Sequence, residues 1–159
     1  MCLVPRQRLV DRLNLTVLVI ALVVTAIDAL SKVWARHVLA THAIHVGGAI
    51  WLRLEYNSGI SFSFVQSRAL ITSIVTAVVV IVVLLVGLRA NRGLSTVGFG
   101  LLIGGGIANV IDRLSATPHR VTDFIALGSF SVFNLADVAI TAGFITLLVG
   151  ALMGEKLLA

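Results

Sequence analysis

The stretch GGGIANVIDRLSATPHRVTDFIALGSFSVFNLAD, residues 104–137, contains three of the seven acidic residues of the chain. Asp112 ends one apolar segment, Asp123 lies in the connector, and Asp137 begins the next apolar segment. Each segment is long enough to cross a bilayer as a helix, so we expect all three carboxyl groups to emerge at one membrane face. Ionisable groups at membrane depth are costly and are kept mainly for function or for pairing. The stretch therefore predicts two transmembrane helices with a cluster of acids at their shared end.

The composition of the whole chain also indicates a membrane protein. Of the 159 residues, 58% are hydrophobic and only 12% are charged, which is about half the charge of a typical soluble domain. Apolar runs predict a single domain, residues 1–159, whose four transmembrane helices lie at about 13–30, 69–88, 94–114 and 133–153. The first run resembles a secretory signal, but its length, the absence of a small-residue cleavage pattern and the spans that follow favour a retained helix.

The basic residues are spread around the apolar runs and give a net charge of +5. This distribution is typical of anchoring to anionic lipid headgroups and not of nucleic-acid binding. The basic residues are densest in two short segments, one with Arg6, Arg8 and Arg12 and one with Arg89 and Arg92. Because dense positive charge beside a span favours the cytoplasmic side, we expect both termini to be cytoplasmic.

The residue types needed for several other chemistries are missing or lack the right spacing. Cys2 is the only cysteine, which excludes an internal disulfide and a multi-cysteine metal site. The four histidines follow no recognised ligand pattern, so neither a metal nor a cofactor is expected. The sequence has no GxSxG motif and no serine with an obvious histidine partner, which argues against a serine protease.

The long connector between the first two spans, residues 32–68, predicts structure outside the membrane. Residues 32–46, KVWARHVLATHAIHV, predict a short helix lying in the interface, with Trp34 at headgroup depth. From Trp51 to Asn57 the side chains alternate in character, which predicts a strand. The predicted fold class is therefore an all-α membrane protein with four transmembrane helices, a small extracytoplasmic β-sheet platform and a short interfacial helix.

The third span carries a repeat of small residues. Gly100, Gly104 and Ala108 recur every four residues, a pattern that lets another helix pack closely. Asn109 and Asp112 lie on a neighbouring face of the same helix. Packing alone explains the glycines but not these two polar residues, which we interpret as part of a site.

Four carboxyl groups are expected at the outer ends of the helices, those of Asp28, Asp112, Asp123 and Asp137. Two close carboxyl groups cannot both ionise cheaply, so such a pair holds one proton and can act as acid and base in peptide hydrolysis. Asp28 and Lys32 lie one helical turn apart, and a local ion pair explains them as well as catalysis does. Asp123 and Asp137, which a short connector brings together, are the pair expected to be catalytic.

Asp112 is directly followed by Arg113, which favours a structural or substrate-orienting role. A small four-helix proton-coupled transporter would need an acid near mid-span, and no acid is expected there. A purely structural membrane subunit leaves the clustered acids unexplained. The residues therefore favour a membrane-embedded aspartic protease.

Five motifs carry a resemblance to a known family, and together they span most of the chain. The chain resembles the lipoprotein signal peptidases (signal peptidase II), bacterial aspartic proteases of the membrane. The motifs are DALSK at 28–32, NSGISF at 57–62, NVIDR at 109–113, VTDF at 121–124 and FNLAD at 133–137. Two departures are visible, Ala108 in place of the usual glycine and a missing proline before FNLAD. Both concern packing or loop shape and leave the acids in place.

The resemblance implies roles for individual residues. Asp123 and Asp137 correspond to the catalytic dyad of the family. The residues implied to bind substrate are Asn57, Gly59, Asn109, Arg113 and Asn134, and those implied or interpreted as supporting are Asp28, Lys32 and Asp112.

The resemblance also implies a substrate and a location. Cleavage is expected just before a cysteine that already carries diacylglycerol, at the extracytoplasmic face of the bacterial cytoplasmic (inner) membrane. The expected partners are diacylglyceryl prolipoproteins and membrane lipids, with no nucleic acid and no cofactor, and the enzyme is expected to be a monomer.

Overall fold

The computed structural model describes residues 13–57, 66–115, 120–129 and 131–159. Within these ranges, four helices and four strands follow one another in the order α1, β1, β2, α2, α3, β3, β4, α4. The helices are α1 Leu15–Val38, α2 Gln66–Gly87, α3 Leu94–Ser115 and α4 Leu135–Leu152. The strands are β1 Ile44–Gly47, β2 Ile50–Asn57, β3 Val121–Leu127 and β4 Ser131–Phe133.

The four helices confirm the helical segments expected from hydropathy, although their lengths differ. In the described ranges three helices, α1, α3 and α4, are long and apolar enough to cross a bilayer. The apolar part of α2, Ile71–Gly87, is shorter, so a fourth crossing stays a prediction. Large apolar side chains such as Leu22, Leu30 and Phe144 are exposed on α1 and α4, as on helices that face lipid.

Helix α3 lies at the centre of the bundle because its small residues let the other helices approach closely. A Cβ atom placed at Gly104 would lie 2.7 Å from the carbonyl oxygen of Ala21 on α1, and one at Gly105 would lie 2.5 Å from that of Ala136 on α4. On the third side a Cβ at Gly106 would meet Val80 of α2 at 2.5 Å. The predicted small-residue stripe is confirmed as a packing surface.

The four strands form one antiparallel sheet in the order β1-β2-β3-β4. In the β2–β3 register Asn57 is opposite Val121 and Glu55 is opposite Asp123. The sheet packs on the end of α1 through Phe124, which is buried with Ala35 and Leu39. The strand expected at residues 51–57 is confirmed, whereas β3 and β4 occupy a segment for which the sequence predicts only a connector.

The prediction of a short interfacial helix at residues 32–46 is wrong. Helix α1 continues without a break to Val38, and Ile44–Gly47 form the edge strand β1. The physical reason is that Asp28, Lys32 and Ala35 are buried on one face of α1. Because these groups find partners inside the protein, the helix extends beyond the apolar run instead of bending into the interface.

Candidate active site

Asp123 is placed by an inner strand of the sheet. Strand β3 is paired on both sides, and its residues Val121 to Phe124 are all buried. Asp123 is only 2% exposed. The end of β2 brings Asn57 beside it, and the Asn57 side-chain amide donates to Asp123 Oδ2 at 3.0 Å. The carboxyl group is thus fixed by the backbone of the sheet and by a neighbour on the adjacent strand.

Asp137 is placed by the start of α4. Asn134 is the N-cap, and its Oδ1 accepts from the Asp137 backbone N–H at 3.0 Å. In return, the Asn134 backbone N–H donates to Asp137 Oδ2 at 3.2 Å. This reciprocal capping box satisfies N–H groups that a helix start leaves without partners. It also holds the half-buried Asp137 carboxylate at the positive end of the helix dipole, where a negative charge is stabilised.

Two asparagines link the two carboxyl groups. The Asn134 amide donates to Asp123 Oδ1 at 2.6 Å and to Asn109 Oδ1 at 3.2 Å. The Asn109 amide in turn donates to Asp137 Oδ1 at 2.9 Å. Asn134 and Asn109 are almost fully buried, so these bonds lie away from bulk water. One hydrogen-bonded chain therefore runs from Asp123 through both asparagines to Asp137.

The surroundings of Asp123 favour its protonated form. Burial raises the pKa of the Asp123 carboxyl from 3.8 to about 6, and the negative charge of Asp137 acts in the same direction. Hydrogen bonds from Asn57 and Asn134 and the charge of Lys32 oppose the rise without cancelling it. A carboxyl group with this pKa exchanges its proton near neutral pH, as an acid–base catalyst requires.

A second cluster of charges lies directly beside the asparagines. The Lys32 ammonium, only 2% exposed, lies 2.7 Å from Asp28 Oδ2 and 3.6 Å from Asp112 Oδ2. It also donates to Asn109 Oδ1 at 2.9 Å. Asp28 Oδ1 accepts from the Ala136 backbone N–H at 2.8 Å, which ties α1 to the first turn of α4. Of the two explanations that the sequence leaves open for Asp28 and Lys32, the structure shows the ion pair, and it lies in the protein interior.

Asp112 connects α3 to β3 and α1. Its Oδ2 accepts from the Thr122 backbone N–H at 2.6 Å, and its Oδ1 forms an ion pair with Arg36. Arg36 also donates to the Thr122 hydroxyl, at 3.0 Å from Nε and 2.7 Å from Nη2. The supporting role expected for Asp112 is thus explained by partners on other elements. Its chain neighbour Arg113 points towards α2, where Nη1 donates to Thr76 Oγ1 at 3.4 Å.

The structure brings together most of the residues singled out from sequence. Asp123, Asp137, Asn57, Asn109 and Asn134 form one hydrogen-bonded site, and Asp28, Lys32 and Asp112 lie next to it. Gly59 and the rest of NSGISF after Asn57 lie outside the described residues. Arg36 and Thr122 were missed. Arg36 had a signal, because it continues the four-residue spacing of Asp28 and Lys32 along the same face of α1.

The arrangement suits hydrolysis by a pair of carboxyl groups. One member is deeply buried with a raised pKa, and the other is half-buried at a helix start, so the two environments differ in the way that separates acid from base. Within the described ranges no group of three or more His, Cys, Asp or Glu side chains is placed to hold a metal ion. Two carboxyl groups in such different environments are able to act as an acid and a base.

Comparisons with known proteins show which family the chain is similar to. A sequence model of the family described as signal peptidase (SPase) II matches residues 20–153. The lipoprotein signal peptidase of Rhodococcus jostii is 34% identical over 161 residues, which cover 94% of this chain and 79% of the relative. That of Bartonella bacilliformis is 36% identical and covers 86% of this chain and 87% of the relative. These matches do not support the transporter alternative.

The fold has also been seen in a solved structure. A bacterial membrane enzyme, determined by the in meso method at 1.9 Å resolution, superimposes with a TM-score of 0.76. It is 23% identical in sequence, and the match covers 86% of this chain and 92% of that one. The similarity shows that the two chains share a fold.

Proposed function

This chain belongs to the signal peptidase II family, and we propose that Asp123 and Asp137 are the two carboxyl groups with which it cleaves its substrate. As a member of that family it is a multi-pass membrane protein and an aspartic protease that removes the signal peptides of lipoproteins. The proposal concerns which residues act, which bond is cut and at which side of the membrane. The observation that carries it is the hydrogen-bonded chain joining Asp123, Asn134, Asn109 and Asp137.

The two acids divide the chemistry according to their surroundings. Asp123 is buried, and its raised pKa makes it the member that holds the proton. Asp137 accepts from two N–H donors, the Asn134 backbone and the Asn109 amide, which suits an ionised carboxylate. The ionised Asp137 takes a proton from water, while protonated Asp123 polarises the scissile carbonyl and later protonates the leaving amine. A substrate that excludes water raises the pKa of Asp123 further, so the acid form persists in the complex.

The substrate site is proposed to extend from the dyad along the sheet and α2. Asn57 lies at the end of β2 next to Asp123, and Arg113 reaches towards α2 at Thr76. An extended peptide fits beside a sheet of this kind, with its lipid chains and signal helix in the membrane. We propose cleavage just before a cysteine that carries diacylglycerol, with prolipoproteins and membrane lipids as the partners. All dyad and asparagine groups come from one chain, which supports a monomer.

The two ends of the helical bundle support an extracytoplasmic site. At the end far from the sheet, the Asn14 backbone N–H donates to Leu88 O and the Asn91 backbone N–H to Leu157 O. Arg89 and Arg92 lie in this segment, and dense positive charge favours the cytoplasm. The sheet and the dyad lie at the opposite ends of α1, α3 and α4. We therefore place the site at the outer face of the cytoplasmic membrane.

Amide replacement of each acid tests the dyad. Asp123→Asn and Asp137→Asn are each expected to abolish cleavage of a lipobox peptide carrying a diacylglyceryl cysteine, because an amide neither accepts the proton from water nor returns it. Each variant is purified in detergent, and its fold is checked by thermal unfolding. A folded variant of either residue with wild-type turnover would remove that residue from the catalytic pair.

A further inference from the structure

The need to neutralise Asp28 does not by itself explain where the Lys32 ammonium lies. Its ammonium is buried and touches three groups: Asp28 Oδ2 at 2.7 Å, Asn109 Oδ1 at 2.9 Å and Asp112 Oδ2 at 3.6 Å. An ammonium has three N–H donors and no acceptor. One of its three N–H groups therefore bonds to the neutral amide of Asn109, and Asn109 in turn contacts Asp137, a proposed catalytic acid.

The contact decides which way the Asn109 amide faces. A side-chain amide has an acceptor oxygen and a donor NH₂ group of nearly equal size, and only hydrogen bonding distinguishes the two orientations. Because Lys32 can only donate, the oxygen must face it, and the NH₂ group then points to Asp137 Oδ1 at 2.9 Å. The reversed amide would place its oxygen against the Asp137 carboxylate, and two acceptors would repel each other.

The other donor to Asn109 is weaker. Asn134 reaches the same oxygen at 3.2 Å, but its amide is neutral and also serves Asp123. A charged donor at 2.9 Å forms the stronger bond. Without the ammonium, the space beside Asn109 is bordered by the carboxylate of Asp112, an acceptor that favours the reversed amide.

We infer that Lys32 is a positioning residue for the catalytic pair: its ammonium sets the direction of the Asn109 amide and so supplies Asp137 with its side-chain donor. This inference rests on the proposed function. It adds that Lys32, without touching substrate, controls the hydrogen bonding and orientation of one proposed catalytic carboxylate. A lysine that only neutralised Asp28 would affect folding and leave turnover per folded molecule unchanged.

The experiment separates these two roles by removing the charge of Asp28 first. Lys32→Met alone leaves Asp28 as a buried unpaired carboxylate, which strongly destabilises a protein. In an Asp28→Asn background the new amide oxygen can still accept from the Ala136 N–H, and adding Lys32→Met then removes the second charge of the pair, so that neither remains unpaired. The comparison is therefore between Asp28→Asn and the double variant Asp28→Asn/Lys32→Met. Lys156→Met is the matched control, because Lys156 is the only other lysine and is exposed far from the site.

Turnover is measured on the diacylglyceryl lipobox peptide and expressed per folded enzyme, with thermal unfolding measured in the same detergent. The double variant is expected to unfold close to Asp28→Asn, to lose roughly 10- to 100-fold in kcat and to keep KM within about threefold. Lys156→Met is expected to match the wild type in thermal unfolding and in kcat. The inference would be overturned if the double variant had the same kcat as Asp28→Asn. It would also be overturned if the loss of activity were fully explained by the fraction of unfolded enzyme.

A second variant covers the case in which the double variant does not fold. Asp28→Asn/Lys32→Gln again leaves neither charge of the buried pair, and its polar side chain at position 32 is one atom shorter than lysine and does not hold Asn109, so the same loss of kcat relative to Asp28→Asn is expected. The kcat of Asp28→Asn in this variant would overturn the inference. Asp123→Asn, assayed alongside, tests the dyad separately. If this variant is active, the proposed catalytic pair is wrong. If it is inactive while the Lys32 variants keep their turnover, only the positioning role of Lys32 fails.

Discussion

Replacing Asp123 by Asn should make the protein more stable above neutral pH while abolishing cleavage. The carboxyl is buried, and its pKa is raised from 3.8 to about 6. An acid with a raised pKa in the folded state binds its proton more tightly there than in the unfolded chain. Stability from this group is therefore greatest below about pH 4, falls as the pH rises, and has been lost by about pH 6 to 7.

The size of the effect follows from the difference between the two pKa values. At about 1.36 kcal/mol per pKa unit, ionising Asp123 removes about 3 kcal/mol of folding free energy. The variant avoids this loss but gives up one hydrogen bond. Asn134 and Asn57 both donate to the Asp123 carboxylate, and an amide has only one oxygen to accept them. A lost bond costs about 1 kcal/mol at every pH, so we expect a net gain of roughly 2 kcal/mol at pH 8 and a net loss of up to about 1 kcal/mol at pH 4.

The assay is equilibrium or thermal unfolding in one detergent from pH 4 to pH 8, with Asp112→Asn as the matched control. Asp112 is bonded to Arg36 and to the Thr122 N–H, so its replacement leaves partners unsatisfied and should destabilise the protein by roughly 3 kcal/mol. Wild-type kcat/KM should also fall as the pH rises through about 6, since the free enzyme then loses the proton from the pair. An Asp123→Asn variant no more stable than the wild type at pH 8 would refute the assignment of a costly buried charge to this position.

Three further outcomes are expected. Gly105→Ala should reduce cleavage and destabilise the protein by roughly 1–3 kcal/mol, because its Cβ would lie 2.5 Å from the Ala136 carbonyl; unchanged unfolding and turnover would show that α3 and α4 can separate freely. Asn57→Ala should weaken cleavage by roughly 1–3 kcal/mol with little effect on insertion, and wild-type turnover and affinity would remove it from the site. In a cysteine-free background, an impermeant thiol reagent should label a cysteine at Thr41 from outside and not one at Asn91; the reverse pattern would place the sheet in the cytoplasm.

The acids and the helices were predictable from sequence because each leaves a local signal. Apolar runs indicate the helices, and the short motifs around Asp123 and Asp137 predict the dyad by resemblance. The capping box is also local, since Asn134 and Asp137 lie three residues apart at a helix start. These features depend on residues close in the chain, so periodicity and spacing are enough to find them.

The supporting contacts were not predictable because they join distant parts of the chain. Lys32 and Asn109 are 77 residues apart, and Arg36 and Thr122 are 86 apart. Residues 32–38 are amphipathic, and from sequence alone a buried polar face cannot be distinguished from one that meets lipid headgroups. Strand β3 was missed for a related reason, since its buried run is paired to β2 more than 60 residues earlier. Only the folded chain shows where these polar groups find their partners.

The distribution of the site over the chain has a consequence for biosynthesis. Lys32 comes from the first helix, Asn57 from β2, Asn109 from α3, and Asn134 and Asp137 from the start of the fourth helix. A ribosome that has released only the first three helices into the membrane has therefore produced Asp123 without its partner acid. If Asp123 and Asp137 are the catalytic pair, as proposed, the protease becomes active only after α4 has inserted and docked against α3.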